Sequence, residues 1–393
     1  MHYKDVLRLI CGVCLLWAGV LWAEESPKTV LSNYETHFYG FVRWEAMYDN
    51  TEVAKGDWYL FAYPDGTPQS EQDEFLMTVR HTRLGMKISG PELDSGAKIN
   101  ALVEMDFAGG YANSSTAARQ PKPRLRHAWV EVAYPTWSLR FGQDWALISG
   151  PFPTTQEFVV GAGKGNLWMR YPQVKFTTQL GKKGKFAFSL NRPMAGNIKY
   201  DAVANGDLDF IGDGERTGLP WVMARLWWNI KPLALSIGGH YGQEQITVSD
   251  SKTEDKVSYS IVGDVTAKAG KAKLVVRGFY GENLNSFLGG IFQGYVIVGD
   301  KAENIKSQGG WANLVYSLSK KWQISTGAGM DDPDDEFLSA GKRIKNSWVW
   351  SDLIYFPHPA LKFALEVSHL STEYKDAATG KNWRYQILTQ FTF

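Results

Sequence analysis

Charged side chains recur at two-residue spacing along this chain, set between apolar neighbours. Arg43 and Glu45 stand so in "FVRWEAM", Arg83 and Lys87 in "HTRLGMKIS", and Glu104 and Asp106 in "KINALVEMDF". Glu131, Arg140 and Asp144 follow, and further on Arg225, Asp264, Arg277, Glu366 and Arg384. Residues at every second position share one face of a β-strand. Ionised groups on such a face need water, because each would cost about 2–4 kcal/mol against lipid at the bilayer midplane. The chemistry they offer is electrostatic: fixed charge beside an aqueous path sorts solutes by sign. Some of these charges simply keep an interior wet. Covalent catalysis has no comparable signature, since no G-x-S-x-G or H-E-x-x-H motif is present. His81, His127 and His240 have the same parity as the charges, but none has a serine partner evident in the sequence. "GAGKGN" (161–166) lacks the βαβ context of a dinucleotide fingerprint. No catalytic residue and no cofactor is expected.

The elements that carry these charges read as hairpins. Ile99, Ala101, Val103, Met105 and Phe107 oppose Asn100, Glu104 and Asp106. Leu361, Phe363, Leu365 and Val367 oppose Lys362, Glu366 and Ser368 in the same way. Short turns are predicted at 90–96, 134–137, 181–185, 229–232, 268–272, 319–322 and 356–360. Long loops are predicted near 50–74, 109–122, 146–163, 193–218, 247–256, 283–309, 331–346 and 375–381. Seven short turns and eight long loops join sixteen strands, the layout of an all-β, antiparallel up-and-down transmembrane barrel. Tyr134, Trp137, Trp228, Trp322, Tyr355, Phe356 and Phe393 gather by the short turns or the chain end, where an interfacial aromatic girdle belongs. Tyr48, Tyr241, Tyr280 and Trp383 gather by the long loops. A soluble β-sandwich alternates too, but does not need long loops at one end only.

The first residues read as a secretory signal. Lys4 and Arg8 precede the apolar run "LICGVCLLWAGVLW" (9–22), and Ala23 offers a cleavage point. The expected organisation is a signal over 1–23, a short periplasmic lead over 24–35 and a barrel over 36–393. Both cysteines, Cys11 and Cys14, fall in the signal, so cleavage would leave no disulfide or thiolate chemistry. Losing Lys4, Asp5 and Arg8 would bring the net charge from +1 to zero, which argues against a nucleic-acid partner. No later run approaches 18 apolar residues.

"TRLGMK" (82–87), "VEMDF" (103–107), "LRHAWVEV" (125–132) and "LRFGQDW" (139–145) in this order resemble the early strands of Gram-negative trimeric porins with sixteen strands. "MDDPDDE" (330–336) and "YFPHPALKFALEVSH" (355–369) are closest in tone to the dicarboxylate-channel-like (DcaP-like) members. The resemblance implies an outer-membrane location, a homotrimer, passive passage of small hydrophilic solutes, and a loop after "LRFGQDW" folded into the lumen. It also implies that the closing strand, ending on Phe391 and Phe393, is read by the outer-membrane assembly machinery. Some DcaP-like members have a longer periplasmic extension than the dozen residues here. A barrel that serves as a surface or structural protein without transport, or an outer-membrane hydrolase, is the alternative.

The candidate constriction loop, 146–163, holds Pro151, Pro153 and three glycines for bends, and Phe152, Phe158 and Val159 to pack inward. Its single charge is Glu157, whereas general porins of this resemblance have an acidic loop facing wall arginines. With Arg83 and Arg140 on nearby strands, a mild preference for anions such as carboxylates is expected. The run "FLGGIFQGYVIV" (287–298) is too apolar for an ordinary exposed loop. It enters the lumen, packs on a neighbouring protomer, or extends a strand. Asp331, Asp332, Asp334 and Asp335 offer oxygen ligands, though without calcium-loop spacing, and solvated tips facing lipopolysaccharide suit them better. Arg126 and Arg170 fall on the lipid side by strict counting, which requires a bulge or a protomer contact.

Overall fold

A computed structural model describes residues 34–111, 120–194, 212–249 and 251–393. The predicted signal lies outside them, as do residues 24–33 of the lead. The body Glu35–Phe393 is built from antiparallel strands. These are β1 (Glu35–Asp49), β2 (Glu74–Thr78), β3 (Arg83–Glu92), β4 (Lys98–Asp106), β5 (Arg124–Ala133) and β6 (Trp137–Trp145). Next come β7 (Arg170–Leu180), β8 (Gly184–Asn191), β9 (Trp221–Ile230), β10 (Leu233–Ser249), β11 (Lys252–Ala269) and β12 (Ala272–Glu282). A separate hairpin pairs β13 (Tyr295–Val298) with β14 (Lys301–Asn304). The main sheet resumes with β15 (Lys306–Ser317), β16 (Trp322–Pro333), β17 (Arg343–His358), β18 (Leu361–Tyr374) and β19 (Ala377–Thr392).

β2 pairs with Glu45–Asp49 of β1, and β3 with Glu35–Phe41 of the same strand. The two are halves of one stave, so sixteen staves make the wall. β19 closes it on β1, from Phe41 opposite Thr392 to Asp49 opposite Arg384. Gly40 and Phe393 complete the seam with two backbone hydrogen bonds of 3.1 Å. Closure leaves no row of peptide groups unpaired, which a lipid-exposed sheet cannot tolerate. The closing strand alternates to its end: Trp383, Tyr385, Ile387 and Phe391 face outward and exposed, while Arg384, Gln386 and Leu388 are buried inside.

All seven short turns occur where predicted. Two of the eight long loops do not. Thr247–Ser249 and Lys252–Asp255 lie in β10 and β11, and β18 and β19 meet around Lys375 and Asp376. Extra strand length, not loop, fills these positions, because "QITVS" and "TEDKVSYS" continue the alternation past the expected strand ends.

Alternation is interrupted at several places, and two of the interruptions each deliver an arginine to the interior. Between β4 and β5 the register shifts, with Glu104 opposite His127 but Met105 opposite Leu125. Arg126 is the extra residue of this bulge, so it and His127 are both buried inside. In the break between β2 and β3, the consecutive Arg80 and His81 are likewise both buried.

Candidate functional site

The loop between β6 and β7, 146–169, crosses the interior and fastens to the opposite wall. The Thr154 N–H donates to Asn313 Oδ1 at 2.9 Å, and the Thr154 carbonyl accepts from Ser325 Oγ at 2.7 Å and Trp350 Nε1 at 2.9 Å. The Gln156 N–H donates to Glu366 at 2.6 Å, its amide donates to Asp352 at 2.9 Å, and its carbonyl accepts from Gln386 at 3.1 Å and from Arg43. At the loop's stem, Arg225 donates to the carbonyls of Leu147, Ser149 and Gly150 at 2.9, 2.8 and 2.6 Å. Arg277 donates to Leu167 at 3.1 Å and also to Ile148 and Gly150. A chain crossing the lumen without a sheet partner must satisfy its peptide groups on side chains, and these strands supply them.

This changes what the inward-facing charges do. Of the residues expected inside, Glu45, Arg225, Arg277, Glu366 and Arg384 are buried under loops. Arg384 is typical: it donates to Asp49 at 2.9 and 2.7 Å and to the Gly56 carbonyl at 2.8 Å, so it holds the first loop. Arg43 is engaged with Glu45, whose second oxygen meets His81. Asp264 holds Arg225. Glu157 is buried too, and Lys164, just past the expected end of the loop, pairs with it at 2.7 Å. The loop's carboxylate is thereby neutralised from within.

Several of the charges that keep contact with water lie on β3–β7. Side chains of Arg83, Arg124 and Arg140 retain 27%, 25% and 20% of their exposure. Lys87 is exposed, over the Tyr39 ring at 5.1 Å. Their carboxylate partners sit deeper: Glu104 at 8%, Asp144 at 7% and Asp106 fully buried, with only Glu131 at 15%. Behind them Arg126 reaches Glu104 at 2.7 Å and Asp106 at 2.8 Å. Arg170 joins this group, with Arg126, Arg124, Asp106 and Arg83 as its charged neighbours. Its Nη1 has no hydrogen-bond partner, and its guanidinium lies 4.5 Å from the Trp145 ring centre. It faces the interior charge cluster, not lipid.

Arg80, Arg124, Arg126, Lys164, Arg170 and Lys175 were not anticipated as interior groups. Lys175 follows simple strand parity and could have been found by extending the count, whereas Arg124 shares the parity of Arg126 and could not. Arg80 and Arg126 could not, because local breaks turn them inward.

Two more loops narrow the interior. In the first, the Asp57 carboxylate binds Arg80, and His81 stacks on Phe158 of the constriction loop at 3.6 Å. Burial alone would raise the Asp57 pKa, but hydrogen bonds from His81 and Arg80 outweigh it and hold the carboxyl below its ordinary range. The apolar segment 283–305 also turns inward. Leu284, Phe287 and Ile291 are fully buried, and the Leu288 and Phe287 carbonyls accept from Gly163 and Trp168 at 2.8 and 3.1 Å. Of the three readings of this segment, packing in the lumen describes its first half, while its second half is the β13–β14 hairpin.

His240 meets two serines that the linear sequence does not make evident: Ser258 at 3.0 Å and Ser260 at 2.6 Å. They were missed because the pairing is across strands, with His240 opposite Ser260 in the register. Both ring nitrogens are thus taken by hydroxyls, and the three residues are buried, so no carboxylate orients the ring as a base. The acidic run is divided as well. Asp331 is buried, accepting from Ser307 at 2.8 Å and Gly290 N–H at 3.2 Å, while Asp334 and Asp335 are exposed. Among the described residues no group of three acidic, histidine or cysteine side chains is arranged to hold a metal ion.

The fold is matched among solved structures. The outer membrane channel DcaP of Acinetobacter baumannii superposes with a TM-score of 0.75, covering 94% of this chain and 100% of that one at 20% identity. This is the porin fold. An anion-selective porin from Comamonas acidovorans matches the porin fold at 0.59, covering 92% and 100% at 11% identity. Salmonella typhi OmpF in complex with daunomycin matches at 0.61, covering 91% and 97% at 10% identity. No protein-family model matches the sequence, and no curated protein does. In this chain the loop that turns inward follows β6, the strand after which the sequence resemblance implied it.

Proposed function

We propose that this chain is an outer-membrane diffusion channel for small hydrophilic solutes, with a mild preference for anions such as carboxylates. One observation carries the preference: the charges still open to water on β3–β7 are mainly guanidinium and ammonium groups, and Lys164 cancels the constriction loop's carboxylate. A transverse field needs opposed charges of both signs. Here the surplus is cationic, so anions meet an attractive wall.

The two neighbours named a channel and an anion-selective porin support this reading. The outer-membrane location, the homotrimer, contact with lipopolysaccharide and recognition of Phe391 and Phe393 by the assembly machinery go with it. A signal over 1–23 would direct export. The histidine geometry gives hydrolysis no support. The test is planar-bilayer recording of the purified protein, with a competition panel of dicarboxylates, sugars and phosphate. Channels blocked more by dicarboxylates than by neutral sugars support the proposal. Preparations of folded barrel that form no channels would favour a non-transporting barrel instead.

A further inference from the structure

The short-turn end of the barrel carries charge of one sign over half its rim. Lys182 and Lys183 lie in the β7–β8 turn and Lys231 in the β9–β10 turn. Lys268, Lys271 and Lys273 surround the β11–β12 turn, and Lys320 and Lys321 lie in the β15–β16 turn. All are exposed. The strands that these turns join are neighbours around the wall, so the lysines form one continuous arc. No aspartate or glutamate occurs in 177–186, 227–236, 266–275 or 316–325. Lys268 and Lys273 even stand directly opposite each other in the β11–β12 ladder, a like-charge pair that costs stability without an anion nearby. The long-loop end is mixed in sign. There Lys252 and Lys256 pair with Glu254 at 2.9 and 3.2 Å, and exposed Asp334, Asp335 and Glu336 precede exposed Lys342.

The depth of the arc is set by the apolar residues beside it. Leu180, Trp228, Leu233, Leu274 and Trp322 are exposed on the outer face, each within a few residues of one of these lysines. Aromatic side chains in such a band mark the membrane–water interface. A lysine next to that band lays its stem along apolar surface and holds its ammonium at the level of lipid headgroups. Between two of the turns the rim is hollowed by a depression of about 640 Å³, lined by Lys271, Leu318, Ser319, Lys320, Trp322 and Phe356. Lys271 is steadied at its edge by a bond to the Leu318 carbonyl at 3.3 Å, and Trp322 stacks on Tyr355 with ring centres 4.4 Å apart. The hollow thus joins ammonium groups to an apolar and aromatic floor.

We propose that this lysine arc is a docking surface for anionic phospholipid of the periplasmic leaflet, with the hollow between Lys271 and Lys320 seating one lipid. The phosphodiester meets the ammonium groups, and the glycerol and upper acyl chain lie on Leu318 and Trp322. A soluble anion would use the lysines but gain nothing from the apolar floor, whereas a lipid uses both. Positive charge at this depth attracts an anionic leaflet and fades within a Debye length, about 8 Å at physiological salt. Neighbouring turns stand about 10 Å apart, two strand spacings, so each turn serves its own headgroup. This goes beyond the diffusion reading, since passage of solutes does not require it, and it stands or falls independently of ion selectivity.

The test is to titrate the purified protein in detergent with dioleoyl phosphatidylglycerol or dioleoyl phosphatidylcholine and to count bound lipids by native mass spectrometry. Folded wild type should hold phosphatidylglycerol more tightly than phosphatidylcholine by about tenfold, since each lysine near an anionic surface is worth about fivefold. Lys320→Gln/Lys321→Gln should lose most of that preference, and adding Lys271→Gln should remove the rest. The side chains are exposed, and a heat-modifiable gel shift confirms that each variant is a folded barrel. Lys301→Gln/Lys306→Gln makes the same charge change at the long-loop end and should bind as wild type does. Equal binding of the two lipids by wild type would overturn the proposal. So would an equal loss in the long-loop variant, which would reduce the effect to net charge. Displacement of the lipid by glycerol phosphate at matched concentration would also overturn it, by making the ligand a soluble phosphate.

Discussion

Lys164 places its ammonium 2.7 Å from the Glu157 carboxylate, with both side chains fully buried inside the barrel. The Tyr59 and Trp348 rings lie 4.7 and 5.1 Å from that ammonium, and the Tyr59 carbonyl also accepts from it. One ion pair therefore ties the constriction loop to the first loop and to β17. Removing one partner of a buried pair strands the other charge, at a cost of about 3–5 kcal/mol. Lys164→Met should lower the unfolding temperature, add open-channel noise and shift selectivity toward cations. The Glu157→Gln/Lys164→Met pair should restore much of the stability, because no charge is left buried. Thermal melts and single-channel traces of the three proteins check this.

Arg225 and Arg277 should act on pore size more than on selectivity. Their guanidinium groups are spent on carbonyls of the loop stem, with little water contact. Arg277→Ala frees buried carbonyls, each costing about 1–3 kcal/mol when left unsatisfied. The expected outcome is larger and more variable conductance with a reversal potential close to wild type. A changed reversal potential at unchanged conductance would show that Arg277 lines the solute path.

The first loop should release in acid. The folded Asp57 carboxyl ionises below its ordinary value of 3.8, so the stabilisation it gives is complete above pH 3.8 and is lost as pH falls through the lower folded value. Hydrogen exchange of residues 50–73 should be equally slow at pH 7 and pH 5 after correction for intrinsic rates, and should rise only in strong acid. Asp57→Asn should remove the protection already at pH 5.

The terminal ring separates closure from recognition. Phe393→Ala keeps the two backbone bonds to Gly40 and loses only an exposed ring. Refolding in detergent should therefore be nearly unchanged, whereas the yield of assembled barrel in cells should fall several-fold. Equal loss in both settings would make Phe393 a packing residue rather than an assembly signal.

Alternation made the barrel, its interior face and its seam legible, because lipid outside and water inside impose a strict period of two. The same rule misplaced Arg126 and gave no hint of Arg80, since one bulge and one break suspend the period locally. It also could not distinguish Arg384, spent on Asp49, from Arg83, still open to water. Which inward charges remain wet depends on three loops whose peptide groups must be satisfied across the lumen. Those contacts, such as Gln156 to Asp352, span nearly two hundred residues and leave no local pattern.

The central claim is that a wetted cationic wall, left unopposed by the constriction loop, favours anions. The most direct test is the zero-current potential across a bilayer in a tenfold KCl gradient, for wild type and for Arg83→Gln/Arg124→Gln. Wild type should show the sign of chloride preference, and the double variant should move toward zero or reverse. A wild-type potential of the cation-selective sign would contradict the account.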